Sequence, residues 1–296
     1  MSVATIGIDL GGTKIEGIRL GPDNQVQFRK RIPTDREDGY EAILDRLTVL
    51  IRECTKNNEN LPIGIGTPGA ISPKTGRIKN SNTVCLIGQP LKNDLEARLG
   101  QSVLMENDAN CFGLAEALMG AGQNHKTVFG VIMGTGVGGG IIHKGEILSG
   151  RALNAGEWGH SILYPGGHVC YCGRKGCVET YLSGPALERS WERLTGEQLS
   201  LKEIVTTRQQ NSRFPDWKEA TMENFGIALS NVINILDPDV VVLGGGVSNI
   251  DWLYTEGRDA VYRQCFTDEP DTPILKHQLG DSAGVLGAAL LARTLS

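Results

Sequence analysis

The chain has 296 residues, 40% hydrophobic and 21% charged, with a formal net charge of −5. This is enough for two lobes with cores of ordinary size, while the acidic balance and the lack of any Lys/Arg run argue against a nucleic-acid partner. No apolar stretch approaches the roughly 20 residues of a membrane span and no basic, apolar leader precedes the first strand-like run, so a cytoplasmic protein is expected.

Taken in order, Thr5 to Leu10, Ile15 to Leu20 and Val26 to Arg31 read as strands, punctuated by Gly11-Gly12 and Gly21-Pro22-Asp23-Asn24. Ile43, Leu44, Leu47, Leu50 and Ile51 have helical spacing and predict a helix over 40–54. Ile63 to Gly66 is a short strand ending at Thr67-Pro68-Gly69; 94–99 suggests a short helix. Val103 to Glu106 is a strand, and a helix follows at once over 108–119. The pattern then restarts. Val128 to Met133 is a strand running into Gly134-Thr135-Gly136, with Gly139 to His143 as its hairpin partner. A loop-rich stretch spans about 150–180, helices are expected at 185–194 and 218–236, Val240 to Leu243 is a buried strand, and a final helix covers 284–295. Two strand–glycine-turn–strand openings imply an approximate internal duplication. The lobes are drawn as 1–120, with the final helix packing back on it, and 121–283.

Glycine is abundant at 39 residues and clusters after apolar strands, where backbone N–H groups can face an anion. Asp9-Leu10-Gly11-Gly12-Thr13-Lys14 joins two strands; Thr13 adds a hydroxyl, and Asp9 could hold magnesium through water. Gly134-Thr135-Gly136 repeats the arrangement, and Gly244-Gly245-Gly246 follows a strand and precedes an expected helix. Gly136-Val137-Gly138-Gly139-Gly140 lies in a hairpin and not at a helix start, so it is no dinucleotide fingerprint. Each loop alone reads equally well as a tight turn; three in this order point to a nucleotide.

In Glu106-Asn107-Asp108-Ala109-Asn110, Asn107 or Asp108 can cap a helix, or Asp108 can accept a proton from a sugar hydroxyl during phosphoryl transfer. Asn80-Ser81-Asn82, Asn107, Glu157, His160 and Glu179 supply the amides, carboxylates and imidazole that line a sugar site. His160, Cys170, Cys172 and Cys177 suit a tetrahedral structural zinc. One nitrogen of His160 would then bind metal and the other a sugar hydroxyl. His168 is a weaker competitor for the metal.

The Asp9–Lys14 loop, Asn107-Asp108-Ala109-Asn110, Gly134-Thr135-Gly136, Ala155-Gly156-Glu157-Trp158-Gly159-His160 and the Cys170–Glu179 segment together resemble the ROK family (repressor, open reading frame, kinase) along nearly the whole chain. The resemblance implies an α/β, two-lobed actin-like ATPase (ribonuclease H-like) fold with a zinc-binding loop and ATP in the cleft. It implies Asp108 as base in transferring the γ-phosphate of ATP to a sugar 6-hydroxyl. Sugar contacts fall on Asn82, Asn107, Glu157, His160 and Glu179, and zinc on His160, Cys170, Cys172 and Cys177. ATP falls to the three glycine loops, through Asp9, Gly11, Gly12, Thr13, Lys14, Gly134, Thr135, Gly136, Gly244 and Gly245. ATP, Mg2+ and structural Zn2+ are the cofactors expected, a small hexose the substrate, and a homodimer the family habit. Lys79-Asn80-Ser81-Asn82 and Gly88-Gln89-Pro90-Leu91 look most like bacterial fructokinases of the mannokinase type, with N-acetylglucosamine kinases as close relatives sharing the core motifs. The family's regulators carry a DNA-binding segment before the first loop. Asp9 lies eight residues from the start, so a kinase is expected, with a sugar-sensing regulator as the alternative.

Overall fold

A computed structural model describes residues 3–56, 60–81 and 83–295. The chain divides into two compact units, one formed by residues 1–120, 145–155 and 279–296, the other by 121–144 and 156–278.

In the first unit, β1 (Thr5–Leu10) is buried along its length except at Asp9. β2 (Lys14–Leu20) runs antiparallel to it and β3 (Val26–Pro33) antiparallel to β2. β4 (Ile63–Thr67) and β7 (Val103–Asn107) extend the other side in parallel, giving the order β3-β2-β1-β4-β7. β5 (Ala70–Ile71) and β6 (Ile78–Lys79) form a separate small hairpin. Because side chains alternate across a strand, Ile6, Ile8 and Leu10 share one face. They pack there with Ile43, Leu47 and Leu50 of α1 (Gly39–Cys54) and with Leu91 and Leu95 of α2 (Leu91–Leu99).

The opposite face carries Gly7 and Asp9 and receives α9 (Ala283–Ala292). A Cβ on Gly7 would overlap the backbone of Val285 and lie 2.7 Å from the Ala289 nitrogen; one on Gly64 would overlap the Ala288 carbonyl. Gly287 meets α3 (Asp108–Met119) in the same way, against the Cys111 carbonyl. α9 therefore lies backbone to backbone on the sheet and on α3. The buried carboxylate of Glu116 in α3 accepts from the Leu279 N–H just ahead of α9, at 2.9 Å.

In the second unit, β8 (Thr127–Met133) and β9 (Val137–His143) form an antiparallel hairpin, and β11 (Val240–Gly244) and β12 (Ile274–Lys276) follow in parallel. This repeats the hairpin-then-parallel arrangement of β2, β1, β4 and β7. α4 (Glu179–Leu182), α5 (Gly184–Thr195), α6 (Leu201–Thr207), α7 (Phe214–Leu236) and α8 (Glu256–Tyr262) supply the remaining layers. Trp191, Phe214, Trp217 and Phe225 fill the core against Val131, Val241 and Leu243. The Trp191 and Trp217 rings meet nearly edge to face, centroids 5.8 Å apart. The short strand β10 (Glu146–Ile147) belongs to the 145–155 segment of the first unit.

The elements follow the sequence pattern with local corrections. β3 runs on to Pro33. α7 starts at Phe214, four residues before the expected Lys218, because Pro215 suits the first turn of a helix. The last helix ends at Ala292 and tightens into a 3-10 turn over 293–295. Gly246 opens a 3-10 turn over 246–249 where an α-helix was expected. α6 was not foreseen, although Ser200 and Glu203 close a full capping box in front of Leu201 and Ile204.

Candidate active site

Each unit gathers its own set of candidate residues. In the first, the β1–β2 turn closes with the Gly11 N–H on the Lys14 carbonyl at 2.9 Å and is held from the side by Thr34, whose hydroxyl donates to the Gly11 carbonyl at 2.7 Å. Gly12 faces Thr83, so the loop Asp9–Lys14 opens toward the segment after β6. The Asp9 carboxylate comes up against Gly284, where any Cβ would lie 3.0 Å from its Oδ2. Burial pushes the Asp9 carboxyl up to about 7, and the carboxylates of Asp108 and Glu16 add to this. Glu16 is itself buried and is held by Arg29 at 2.5 Å and Arg31 at 2.6 Å from β3.

Asp108 stands first in α3, directly after β7. Asn107 is the helix cap: its Oδ1 accepts from the Ala109 N–H at 2.9 Å while its Nδ2 donates to the Gly69 carbonyl at 3.1 Å. Asp108 Oδ1 shares that Ala109 N–H, at 2.8 Å. Glu106 braces the turn from below, one oxygen accepting from the Asn107 N–H at 2.8 Å and the Asn110 amide at 2.9 Å. Asn82 lies outside the described residues; its neighbour Ser81 is buried and accepts from the Thr83 N–H at 3.0 Å.

In the second unit the glycines of loop and hairpin bind three motifs together. Glu179 accepts from the Val137 N–H at 2.9 Å, and a Cβ on Gly136 would sit 2.8 Å from its carboxylate. Trp158 donates to the Gly138 carbonyl at 2.8 Å, and Gly139, Gly156 and Gly159 let the 156–160 turn lie on β9. The loop 134–137, the Glu157/His160 turn and Glu179 thus form one block. Gly245, at φ +81°, backs onto Met133 and brings the turn after β11 beside loop 134–136.

These loops wall a cavity of about 820 Å³, lined by Gly134, Thr135, Gly184, Pro185, Gly246 and Asn249, with Glu188, Lys202 and Thr206 from α5 and α6. Gly134 and Gly246 both face it. Neither has a left-handed backbone and neither would bring a Cβ within 4 Å of any atom. Neither packing nor backbone conformation requires glycine there, and both positions leave the backbone open to the cavity. Gly244 ends β11 and Gly245 forms the turn after it. Glu188, Lys202, Thr206 and Asn249 were missed by the sequence reading; the capping box of α6 was the available signal.

His160, Cys170, Cys172 and Cys177 bring one ligand atom each to within 4.8 Å of one another. Cys170 Sγ lies 3.6 Å from His160 Nδ1, and Cys172 Sγ 3.6 Å from Cys177 Sγ. Those separations match the edge of about 3.7 Å of a tetrahedron with metal–sulfur bonds near 2.3 Å. Burial raises the Cys172 thiol, but hydrogen bonds from Arg174, Cys170 and Cys177 outweigh it and bring the thiol down to about 6, toward the thiolate a metal needs. Burial pushes Cys177 up to about 12. His160 Nε2 points away from the sulfurs and meets the Tyr171 hydroxyl at 3.1 Å. His168 is not in the cluster: its ring stacks on Tyr181 with centroids 4.9 Å apart.

A model of the ROK family matches residues 5–295, and the chain belongs to that family. It is 38% identical to an N-acetyl-D-glucosamine kinase of Haemophilus influenzae, over 97% of this chain and 99% of that one. Among solved structures it is similar to a ROK hexokinase from Thermus thermophilus (TM-score 0.87, 32% identity, 99% of each chain). It is also similar to a ROK family glucokinase from Streptomyces griseus, solved in complex with glucose and AMPPNP (TM-score 0.82, 30% identity, 98% and 99% of the two chains). The fold is the actin-like ATPase fold, and the chain is a carbohydrate kinase of this family. Among the described residues no helix is long and apolar enough to cross a membrane.

A carboxyl raised by burial leaves stability untouched well below its ordinary value of 3.8; as pH rises from there to about 7 the unfolded chain ionises while the folded one stays protonated, and stability is lost. Asp9→Asn removes that loss. Thermal unfolding of the ligand-free protein should show the variant several degrees more stable than wild type at pH 8 and close to it at pH 4. Equal midpoints at pH 8 would show that Asp9 is not held in a destabilising site.

Proposed function

We propose that this protein is an ATP-dependent N-acetyl-D-glucosamine kinase that transfers the γ-phosphate to the sugar 6-hydroxyl. The observation that carries the nucleotide part is the pair Gly134 and Gly246, two glycines the fold does not need, facing one large cavity. The N-acetyl-D-glucosamine kinase relative supports the acceptor. Its identity to this chain exceeds that of the hexokinase and glucokinase structures. Those two favour a second reading, a hexose kinase acting on glucose, mannose or fructose.

In the proposed reaction Asp108 takes the proton of the attacking hydroxyl as its oxygen bonds to the γ-phosphorus and ADP leaves. Asn107, capping the helix and tied to Gly69, fixes where that carboxylate stands. Glu157, His160 and Glu179 hold sugar hydroxyls, and Asn82 joins them. Backbone N–H groups of 11–13 and 134–136 receive phosphate oxygens. The wall of Pro185, Lys202, Thr206 and Asn249 receives the nucleoside. Asp9 orients Mg2+, which supplies charge neutralisation when bound. His160 Nδ1, Cys170, Cys172 and Cys177 would hold a structural zinc, which would fix the imidazole, and a sugar hydroxyl would take the place of the Tyr171 hydroxyl at Nε2.

A coupled ADP-release assay across hexoses and N-acetylhexosamines tests the reading. N-acetyl-D-glucosamine should give the highest kcat/KM, and Asp108→Asn should cut kcat by roughly a hundredfold or more while sugar still binds. Highest turnover on glucose, mannose or fructose would select the hexose reading, and a near-normal rate in the variant would remove Asp108 as base. Gly134→Ala should leave the thermal midpoint within about 2 °C and raise the KM for ATP roughly tenfold. An unaffected KM would show that ATP does not approach this loop. Elemental analysis of purified protein should find one zinc per chain, lost in Cys177→Ser together with much of the sugar affinity; full activity without zinc would sink the metal's role.

A further inference from the structure

The segment 145–155 holds a backbone that the chain would not adopt unaided. Leu153 has φ +54° and Gly150 φ +73°. A left-handed leucine is costly and persists where its surroundings over-determine it. Two backbone bonds close the turn, from the Leu153 N–H to the Gly150 carbonyl at 3.3 Å and from the Ala155 N–H to the Ser149 carbonyl at 3.2 Å, and one ammonium group ties it from outside. Lys79 Nζ donates to the Ala152 carbonyl at 2.9 Å and to Asn154 Oδ1 at 2.8 Å, the two residues on either side of Leu153.

The same lysine belongs to a closed circuit of contacts around the Asp108 turn. Its backbone pairs with Ala70, and its carbonyl lies directly beneath Gly69, where a Cβ would overlap it. The Gly69 carbonyl accepts from Asn107, the residue before Asp108. From Asn107 the circuit passes to Glu106, whose other oxygen accepts from the Ser149 hydroxyl at 3.1 Å, and Ser149 opens the loop that Lys79 holds at its far end. The loop is thus fixed against the base-bearing turn at both ends by side chains that touch no phosphate loop. A half-buried Leu153 sits between them in an otherwise small or polar run, Ser149, Gly150, Arg151, Ala152 and Asn154.

We propose that Lys79 is a positioning residue for acceptor specificity. It locks Leu153 into its left-handed conformation so that the loop presents a fixed apolar wall to the sugar substituent that separates an acetamido sugar from a plain hexose. The acetamido group carries a methyl that the hydroxyl it replaces lacks, and one such apolar contact against a fixed wall discriminates by about tenfold or more. The inference rests on the sugar-kinase reading above and deepens it.

The test compares wild type with Lys79→Met and Lys79→Arg. The readouts are kcat/KM on N-acetyl-D-glucosamine and on glucose, and hydrogen exchange of peptides covering 148–156. In Lys79→Met the ratio between the two sugars should shift at least tenfold toward unity, kcat on the better sugar should change less than the ratio, and the loop should exchange faster. Lys79→Arg, which can still donate to both acceptors, should restore most of the ratio, and Leu153→Gly should reproduce the loss of discrimination without loosening Lys79. An unchanged ratio, or equal losses on both sugars, would overturn the specificity role. Exchange in 148–156 unaltered by Lys79→Met would overturn the clamp itself. That last arm needs no activity. Wild type turning over neither sugar would instead fail the kinase reading, leaving the exchange comparison to decide the clamp.

Discussion

The first unit depends on one constraint: α9 must touch the sheet and α3 with nothing between the backbones. Gly7 and Gly64 on adjacent strands and Gly287 on the helix are the positions where any Cβ would overlap a neighbouring main chain. Close approach of this kind leaves a helix no freedom to slide, because each contact is with backbone and not with a side chain that could change rotamer. The consequence reaches the chemistry. The first turn of α9 brings Gly284 against Asp9, and α3, held by Gly287 and by Glu116, carries Asp108 at its start. Two carboxylates distant in sequence are thereby referenced to one helix from the far end of the chain, close enough that the charge of Asp108 resists ionisation of Asp9.

The second unit solves the same problem with shorter ties. Gly139, Gly156 and Gly159 stack the 156–160 turn on β9, Gly136 admits the Glu179 carboxylate, and Trp158 anchors the assembly through its indole N–H. The metal-ligand cluster extends that block, since His160 offers Nδ1 to the sulfurs and keeps Nε2 turned the other way. Glycines in this protein therefore fall into distinct kinds. Some admit a neighbouring backbone, some supply a left-handed turn, as at Gly245 and Gly150, and Gly134 and Gly246 do neither. The last kind opens onto the cavity.

Much of the fold was legible along the chain. The even and odd residues of β1 separate into a core face and a glycine–aspartate face, the apolar spacing of 43–51 gives α1, and the glycine turns after β1 and β8 announce the repeated hairpins. The grouping of His160, Cys170, Cys172 and Cys177 was legible too, because His and Cys at close spacing stand out along the chain. What escaped was α6 and with it much of the large cavity's wall. Its residues Lys202 and Thr206 are ordinary helix-surface types, and only their position beside Gly134 and Gly246 gives them meaning. The Lys79 clamp escaped for the same reason: it joins positions more than 70 residues apart.

The sequence by itself determined the residue chemistry and the local elements: which turns could bind phosphate, which carboxylate stood at a strand–helix junction, which thiols could share an ion. Those follow from side-chain type and from periodicities of two and 3.6, which are local properties. Only the tertiary structure decided which glycines admit a neighbouring backbone and which face open space, that Asn107 and Asp108 share the Ala109 N–H at the start of α3, and that Asp9 is held as a poor acid. Each of these turns on what a distant segment places within 3 or 4 Å, and distance between segments is set by packing of the whole unit and not by any run of the chain.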